Sequence, residues 1–133
     1  MIHTGSAKSR RSFIGEKMIQ GIHHVAIIVS SEETVEFYKK LGFQETFRKT
    51  RAYDTIVLMS GHGFELEMFV DSNHPKKEKP EPLGLRHLAL KVDNIETTAK
   101  ELDIVAGEIM LDWVGKRFGF ISDPDGNAVE LHE

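Results

Sequence analysis

Residues 21–33 read GIHHVAIIVSSEE, and residues 84–96 read GLRHLALKVDNIE. Each is a β-branched or leucine-rich run entered through a glycine and left through polar residues ending in a glutamate, which predicts a buried strand passing into a helix. The two stretches lie 63 residues apart, and sliding the chain along itself by that offset without a gap also places Glu67 on Glu130, Glu45 on Glu108 and Gly63 on Gly126. Between positions 21 and 69, nine of 49 pairs are identical. The chain therefore holds two copies of one unit, and because so short a unit buries too small a fraction of its surface alone, both copies belong to one fold.

Working outward from the first copy, Ser30-x-x-Glu33 offers a capping box, Val35, Tyr38 and Leu41 form a helical stripe, and Gly42 stands where a C-terminal cap belongs. Strand-like runs follow at 43–50, 54–60 and 64–70, with short turns at 51–53 and at Gly61-His62-Gly63. The stretch 71–83, DSNHPKKEKPEPL, holds three of the four prolines and a charge run, which makes it a connector. The order then repeats: a strand at 86–92, a short helix entered through Asp93-x-x-Glu96, and strands near 108–112, 117–122 and 127–132, with a turn at Asp123-Pro124-Asp125-Gly126. The predicted fold is α+β, two βαβββ modules (20–70 and 84–133, linker 71–83) forming a curved sheet or half-barrel. Residues 1–19 are expected to be a tail, disordered or an expression remnant.

Strand parity decides where the repeated histidines and glutamates point. His24 shares a face with Ala26 and Ile28 and opposes Val25, Ile27 and Val29; His87 sides with Ala89 and Lys91. Glu67 opposes Leu66, Met68 and Val70, and Glu130 opposes Val129 and Leu131. One face is apolar and packs under the helices, and the four special residues share the other. Singly, each would read as a solvated glutamate or a core histidine. As two matched pairs they read as a metal or shared binding site, because a mid-strand carboxylate is costly unless paired or metal-bound. Two imidazoles and two carboxylates form an N2O2 set that suits one divalent ion per site, Ni²⁺, Zn²⁺, Co²⁺, Mn²⁺ or Fe²⁺. The four would lie on the concave side of the curved sheet.

The chain has no cysteine, which removes thiolate ligands and a Cys nucleophile and is compatible with a reducing cytoplasm, the expected location. Its formal net charge of -4 includes a basic start (Lys8, Arg10, Arg11 and Lys17 against Glu16), so the remainder is more acidic still. That argues against a nucleic acid partner, and no apolar run approaches the ~18 residues of a membrane span.

The segments GIHHVAIIV, EFYKKLGF, FELEMF, GLRHLALKVDNIE and KRFGFISDPDGNAVELHE resemble, in order and spacing, the vicinal oxygen chelate superfamily of glyoxalase I, bleomycin resistance proteins and dioxygenases, and within it the small bacterial glyoxalase-like proteins. The resemblance covers about residues 20–133. It implies paired βαβββ modules around a metal-bearing cleft, often completed by a second subunit, so a homodimer is expected. Carried onto this chain, the metal ligands fall on His24, Glu67, His87 and Glu130; Glu65 competes with Glu67, and the 63-residue register selects Glu67. Filled ligand positions favour lyase or isomerase chemistry on a small vicinal-dioxygen substrate such as a thiol–methylglyoxal hemithioacetal. The metal would stabilise an enediolate, and Glu130 or Glu67 would act as general base. Ile28 and Asp71 stand where glyoxalase I has a basic residue and an asparagine that serve glutathione, so the thiol is left open. Arg51, Tyr53, Trp113, Lys116, Arg117 and Phe118 are candidates to line the cleft and hold an anionic substrate. His23 is expected to be structural on the apolar face, His132 a bystander on the ligand face. The rivals are a binding protein that sequesters a small toxic or antibiotic molecule, and a metal-dependent thiol transferase or dioxygenase.

Overall fold

The computed structural model describes residues 18–133, so the expected tail, apart from its last two residues, lies outside the described residues. Strand β1 (Val25–Val29) leads into helix α1 (Glu32–Lys40), followed by β2 (Gln44–Thr50), β3 (Thr55–Gly61) and β4 (Phe64–Val70). The second half repeats this with β5 (Leu88–Lys91), α2 (Ile95–Leu102), β6 (Met110–Leu111), β7 (Arg117–Ser122) and β8 (Ala128–His132). Each half makes a four-stranded sheet, in the order β1-β4-β3-β2 and β5-β8-β7-β6, with the first and last strands of each module parallel and the rest antiparallel. The α+β fold of two βαβββ units expected from the repeat is the fold observed. Among the described residues, no helix is long and apolar enough to cross a membrane.

Alternation sets the faces. Along β4, Leu66 and Met68 are buried while Glu65, Glu67 and Phe69 are half-buried, and along β8, Val129 and Leu131 are buried while Glu130 is not. The buried set joins Val35, Tyr38 and Leu41 of the first helical segment, Ile95 of α2 and Phe43 in one apolar cluster that runs through both modules. Strand β2 is exposed along its whole length, and Arg48 on it forks to Glu32 and Glu45, which keeps this edge charged and unattractive to another strand.

Both helices start one residue later than their sequences suggest. The α1 cap is Ser31, whose hydroxyl accepts from the Glu33 amide, and the α2 cap is Asn94, whose side chain accepts from the Thr97 amide at 2.8 Å. Ser30 is unavailable because its hydroxyl and amide both bond Asp125 in the other module, while Glu96 pairs with Arg117 rather than turning back on Asp93.

The ungapped repeat also holds only in part. Strands β1 and β4 pair Ala26 with Glu67 as β5 and β8 pair Ala89 with Glu130, in full agreement with the 63-residue offset. The β3–β4 hairpin turns through His62 and Gly63, both at positive φ, with Ser60 facing Glu65; in the second module Ser122 faces Ala128, the counterpart of Glu65. Ser122 thus corresponds to Ser60, one residue short of the offset, because the β7–β8 connection is one residue longer. The residue across from Glu130 is therefore Phe120, the counterpart of Leu58 across from Glu67.

Gly42 closes α1 at φ +105°, and a Cβ there would lie 2.8 Å from Nε2 of His62, the atom that meets the Leu41 carbonyl oxygen at 2.8 Å. Gly42→Ala is expected to lower unfolding stability by about 1–3 kcal/mol, read by urea denaturation, because alanine adds backbone strain and displaces the His62 ring.

Candidate metal centre

Each sheet brings one histidine and one glutamate together on its open face. His24, just ahead of β1, places Nε2 3.2 Å from Oε1 of Glu67 on β4. His87, just ahead of β5, places Nε2 2.9 Å from Oε1 of Glu130 on β8. The pairs form because each histidine immediately precedes the strand that runs parallel to, and pairs with, the glutamate's strand. The second pair is more enclosed, with Glu130 13% exposed against 24% for Glu67.

The contacts themselves restrict what can lie between these atoms. An imidazole nitrogen lone pair and a carboxylate oxygen both accept, so each contact requires a proton or a cation between them. Donors roughly 2.0–2.2 Å from a single ion and at right angles to it are about 3 Å apart, the scale of both separations. The donor set therefore fits the divalent ion expected from the sequence.

Within the single chain the two pairs form two half-sites. Among the described residues, the group of three ligand-type side chains whose atoms converge within 4.8 Å is His23, His24 and Glu65, not any three of His24, Glu67, His87 and Glu130. His23 is exposed and its Nδ1 lies 2.9 Å from Nδ1 of His24, so it does not take the apolar face expected of it. Strand order begins only at Val25, and ahead of it parity no longer dictates direction.

Arg51 reaches the first half-site. Its Nε and Nη2 donate to the two oxygens of Asp54, each at 2.7 Å, and its guanidinium lies 4.6 Å from the Tyr53 ring centre and 5.7 Å from that of Phe69, which shares the face of Glu67. Arg51 and Tyr53 are thus placed beside the His24–Glu67 pair. Phe118 lies at the second half-site, stacked on His132 with ring centres 5.7 Å apart, and Phe120 meets His87 edge-on at 5.1 Å. Trp113 is 96% exposed in the β6–β7 turn, with Lys116 in the same turn.

Arg117 departs from its expected place. It precedes Phe118 on β7 and so points to the other face, where it binds Glu96 of α2 and, at 3.0 Å, Glu133. Its charge is paired there, on the face away from the two histidine–glutamate pairs.

Two further residues belong to the second half-site. His132 Nδ1 lies 2.5 Å from Oε2 of Glu130, and its Nε2 lies 2.9 Å from Oδ2 of Asp112. The bond to Glu130, opposed by burial and reinforced by Asp112, raises the His132 pKa above its ordinary value. His132 is thus not a bystander; its i+2 spacing from Glu130 was the available signal, while Asp112 is 20 residues away and left none.

Comparisons with known proteins agree with this architecture. Residues 21–131 match the model of the Glyoxalase/Bleomycin resistance protein/Dioxygenase superfamily. The uncharacterized protein YwkD of Bacillus subtilis is 38% identical, over 87% of this chain and 98% of its own length. The crystal structure of a glyoxalase family protein from Enterococcus faecalis is 38% identical, with a TM-score of 0.79 over 87% of this chain and 99% of that one. Two more distant structures share the fold. Lactoylglutathione lyase from Agrobacterium tumefaciens is 20% identical at TM-score 0.61, covering 85% of this chain and 92% of that one. A mutant of the fosfomycin resistance protein FosX from Listeria monocytogenes, complexed with Mn(II) and a dihydroxypropylphosphonic acid, is 19% identical at TM-score 0.66, covering 86% and 92%.

Proposed function

This chain belongs to the glyoxalase/bleomycin resistance protein/dioxygenase superfamily, and from that premise we propose that it is a metal-dependent lyase or isomerase of the glyoxalase I kind, acting on a small vicinal-dioxygen substrate such as a thiol–methylglyoxal hemithioacetal. The observation that carries the reading is the repeated pairing of an imidazole with a carboxylate, at 3.2 and 2.9 Å, on equivalent strands of two sheets. Because the pairs form two half-sites within one chain, a second copy of the chain completes each centre, with His24 and Glu67 from one subunit and His87 and Glu130 from the other. The FosX relative crystallised with Mn(II) supports a divalent ion on this fold.

A divalent ion held by these four residues would supply Lewis-acid stabilisation of negative charge developing on the substrate oxygens. The chain's own residues supply the rest. Glu130 takes the proton from the substrate carbon and returns it to the neighbouring carbon, with the apolar ring of Phe120 across from it on β7. Glu67, the more exposed carboxylate, stays a ligand. Arg51, held at two of its five N–H groups by Asp54, keeps donors for an anionic substrate, with Tyr53 as a flat wall. Trp113 and Lys116 reach the substrate from the β6–β7 turn. Ile28 is 50% exposed on the ligand face, an apolar lining that favours a thiol other than glutathione.

Elemental analysis tests this reading. Purified protein is expected to carry a divalent ion in stoichiometric amount and to lose it when His87 is replaced by alanine, and metal-loaded protein is expected to form thioester from methylglyoxal with at least one thiol. Metal that stays bound in the His87→Ala protein overturns the ligand set. Absence of thioester with every thiol overturns the lyase in favour of a transferase or dioxygenase on the same scaffold.

A further inference from the structure

Glu130 is held at both of its oxygens. Oε1 faces Nε2 of His87 at 2.9 Å, and Oε2 faces Nδ1 of His132 at 2.5 Å. The ring of His132 is contacted on two further sides: it stacks on Phe118 at an interplanar angle of 16° and its far nitrogen is 2.9 Å from Oδ2 of Asp112. Asp112 is in turn the residue that shapes the β6–β7 turn: its Oδ1 accepts from the amides of Val114 at 3.0 Å and Lys116 at 2.8 Å, and Trp113 sits at the tip. A continuous chain of contacts therefore runs from the turn that carries Trp113 to the carboxylate.

We infer that His132 and Asp112 are positioning residues that hold Glu130 to ligation through one oxygen and couple it to the Trp113 turn. The inference rests on the proposed metal site. A carboxylate with one oxygen taken by a ring N–H presents only the other to an ion, in a fixed plane, whereas an unrestrained carboxylate can chelate through both. Swinging Glu130 moves the ring, the ring moves Asp112, and Asp112 carries the amides of the turn with it. Metal occupancy at the His87–Glu130 pair is thus transmitted to a residue on the surface.

Trp113 is the one tryptophan of the chain, so its fluorescence reports this turn alone. The test is a Zn²⁺ titration of the full-length wild-type protein and of the His132→Phe and His132→Asn variants, following Trp113 emission and, independently, affinity by competition with a chromophoric chelator. Zn²⁺ has no unpaired electrons to quench the indole directly. Wild type is expected to change its Trp113 emission in step with Zn²⁺ uptake. His132→Phe is expected to bind Zn²⁺ about 10- to 100-fold more weakly, the usual effect of losing a partner behind a ligand. His132→Asn, whose amide can donate where Nδ1 does, is expected to regain most of that affinity while Trp113 no longer responds, since the link to Asp112 is cut. Wild-type affinity in His132→Phe, or an unchanged Trp113 response in His132→Asn, overturns the inference alone. Wild-type protein that takes up no Zn²⁺ overturns the metal-site reading and the inference together.

Discussion

Glu130→Gln protein is expected to fold, to retain a divalent ion at saturating concentration, and to lose isomerase turnover by about a thousandfold, within the range of 10²–10⁴ that a positioned general base contributes. Glutamine has the shape of glutamate and still offers one carbonyl oxygen to the His87 side, but it cannot accept a proton at neutral pH. Its amide also brings N–H groups toward Nδ1 of His132, which meets an acceptor there in the native chain. The loss should appear in kcat when metal and substrate are both saturating, since the substitution removes an interaction used in the transition state rather than in binding. Glu67→Gln provides the comparison. Glu67 has one imidazole contact where Glu130 has two, and it is nearly twice as exposed, so its replacement should weaken the metal more than it slows the metal-saturated reaction. If the two effects are reversed, with Glu130→Gln near wild-type turnover, the base is Glu67 and the roles of the two half-sites exchange.

What the sequence made legible was governed by short-range rules, and what it hid depended on contacts between distant segments. Period-two alternation placed Glu67 and Glu130 on the open faces, because burial of Leu66, Met68, Val129 and Leu131 leaves no other register, and His24 and His87 meet them from just ahead of β1 and β5. Family resemblance extended this to the superfamily and its fold. The helix caps came out one residue early, because Ser30 has the right chemistry for a cap but is claimed by Asp125, 95 residues away. The single-residue lengthening of the β7–β8 connection was likewise invisible, since an ungapped alignment matches Gly63 with Gly126 whether or not the preceding strands are in step. The partners of Arg117 and His132 were hidden for a related reason. Each sits on a strand whose parity was readable, yet its partners, Glu96 and Asp112, lie across the module.

The residues read only as a turn, Asp123 to Asp125, make the bonds that fasten one module to the other, and the second large effect is expected there. Asp123 is 4% exposed and its carboxylate accepts four hydrogen bonds: from Tyr38 Oη at 2.8 Å, from the amides of Asp125 and Asn127 at 2.9 Å each, and from Asn127 Nδ2 at 3.2 Å. Tyr38 is itself 3% exposed, and burial, with the Asp123 charge beside it, pushes its hydroxyl far above the ordinary phenol range, so it stays a donor. Asp123→Ala therefore strands a buried hydroxyl and unties the turn that leads into β8 and Glu130. Leaving a buried donor unpaired costs about 1–3 kcal/mol, and bonds to a charged acceptor are at the stronger end, so a loss of about 3 kcal/mol is expected. For a chain of this size that lowers the melting temperature by roughly 10–15 °C. Tyr38→Phe removes only the hydroxyl and should cost about 1 kcal/mol, and the double variant should be less destabilised than the two single effects combined, because both report one contact. Calorimetry of the four proteins measures that coupling. Additive losses would mean that Asp123 acts only within its own turn and that the modules are held by their shared apolar cluster and the Asp125 bonds to Ser30 and Thr34.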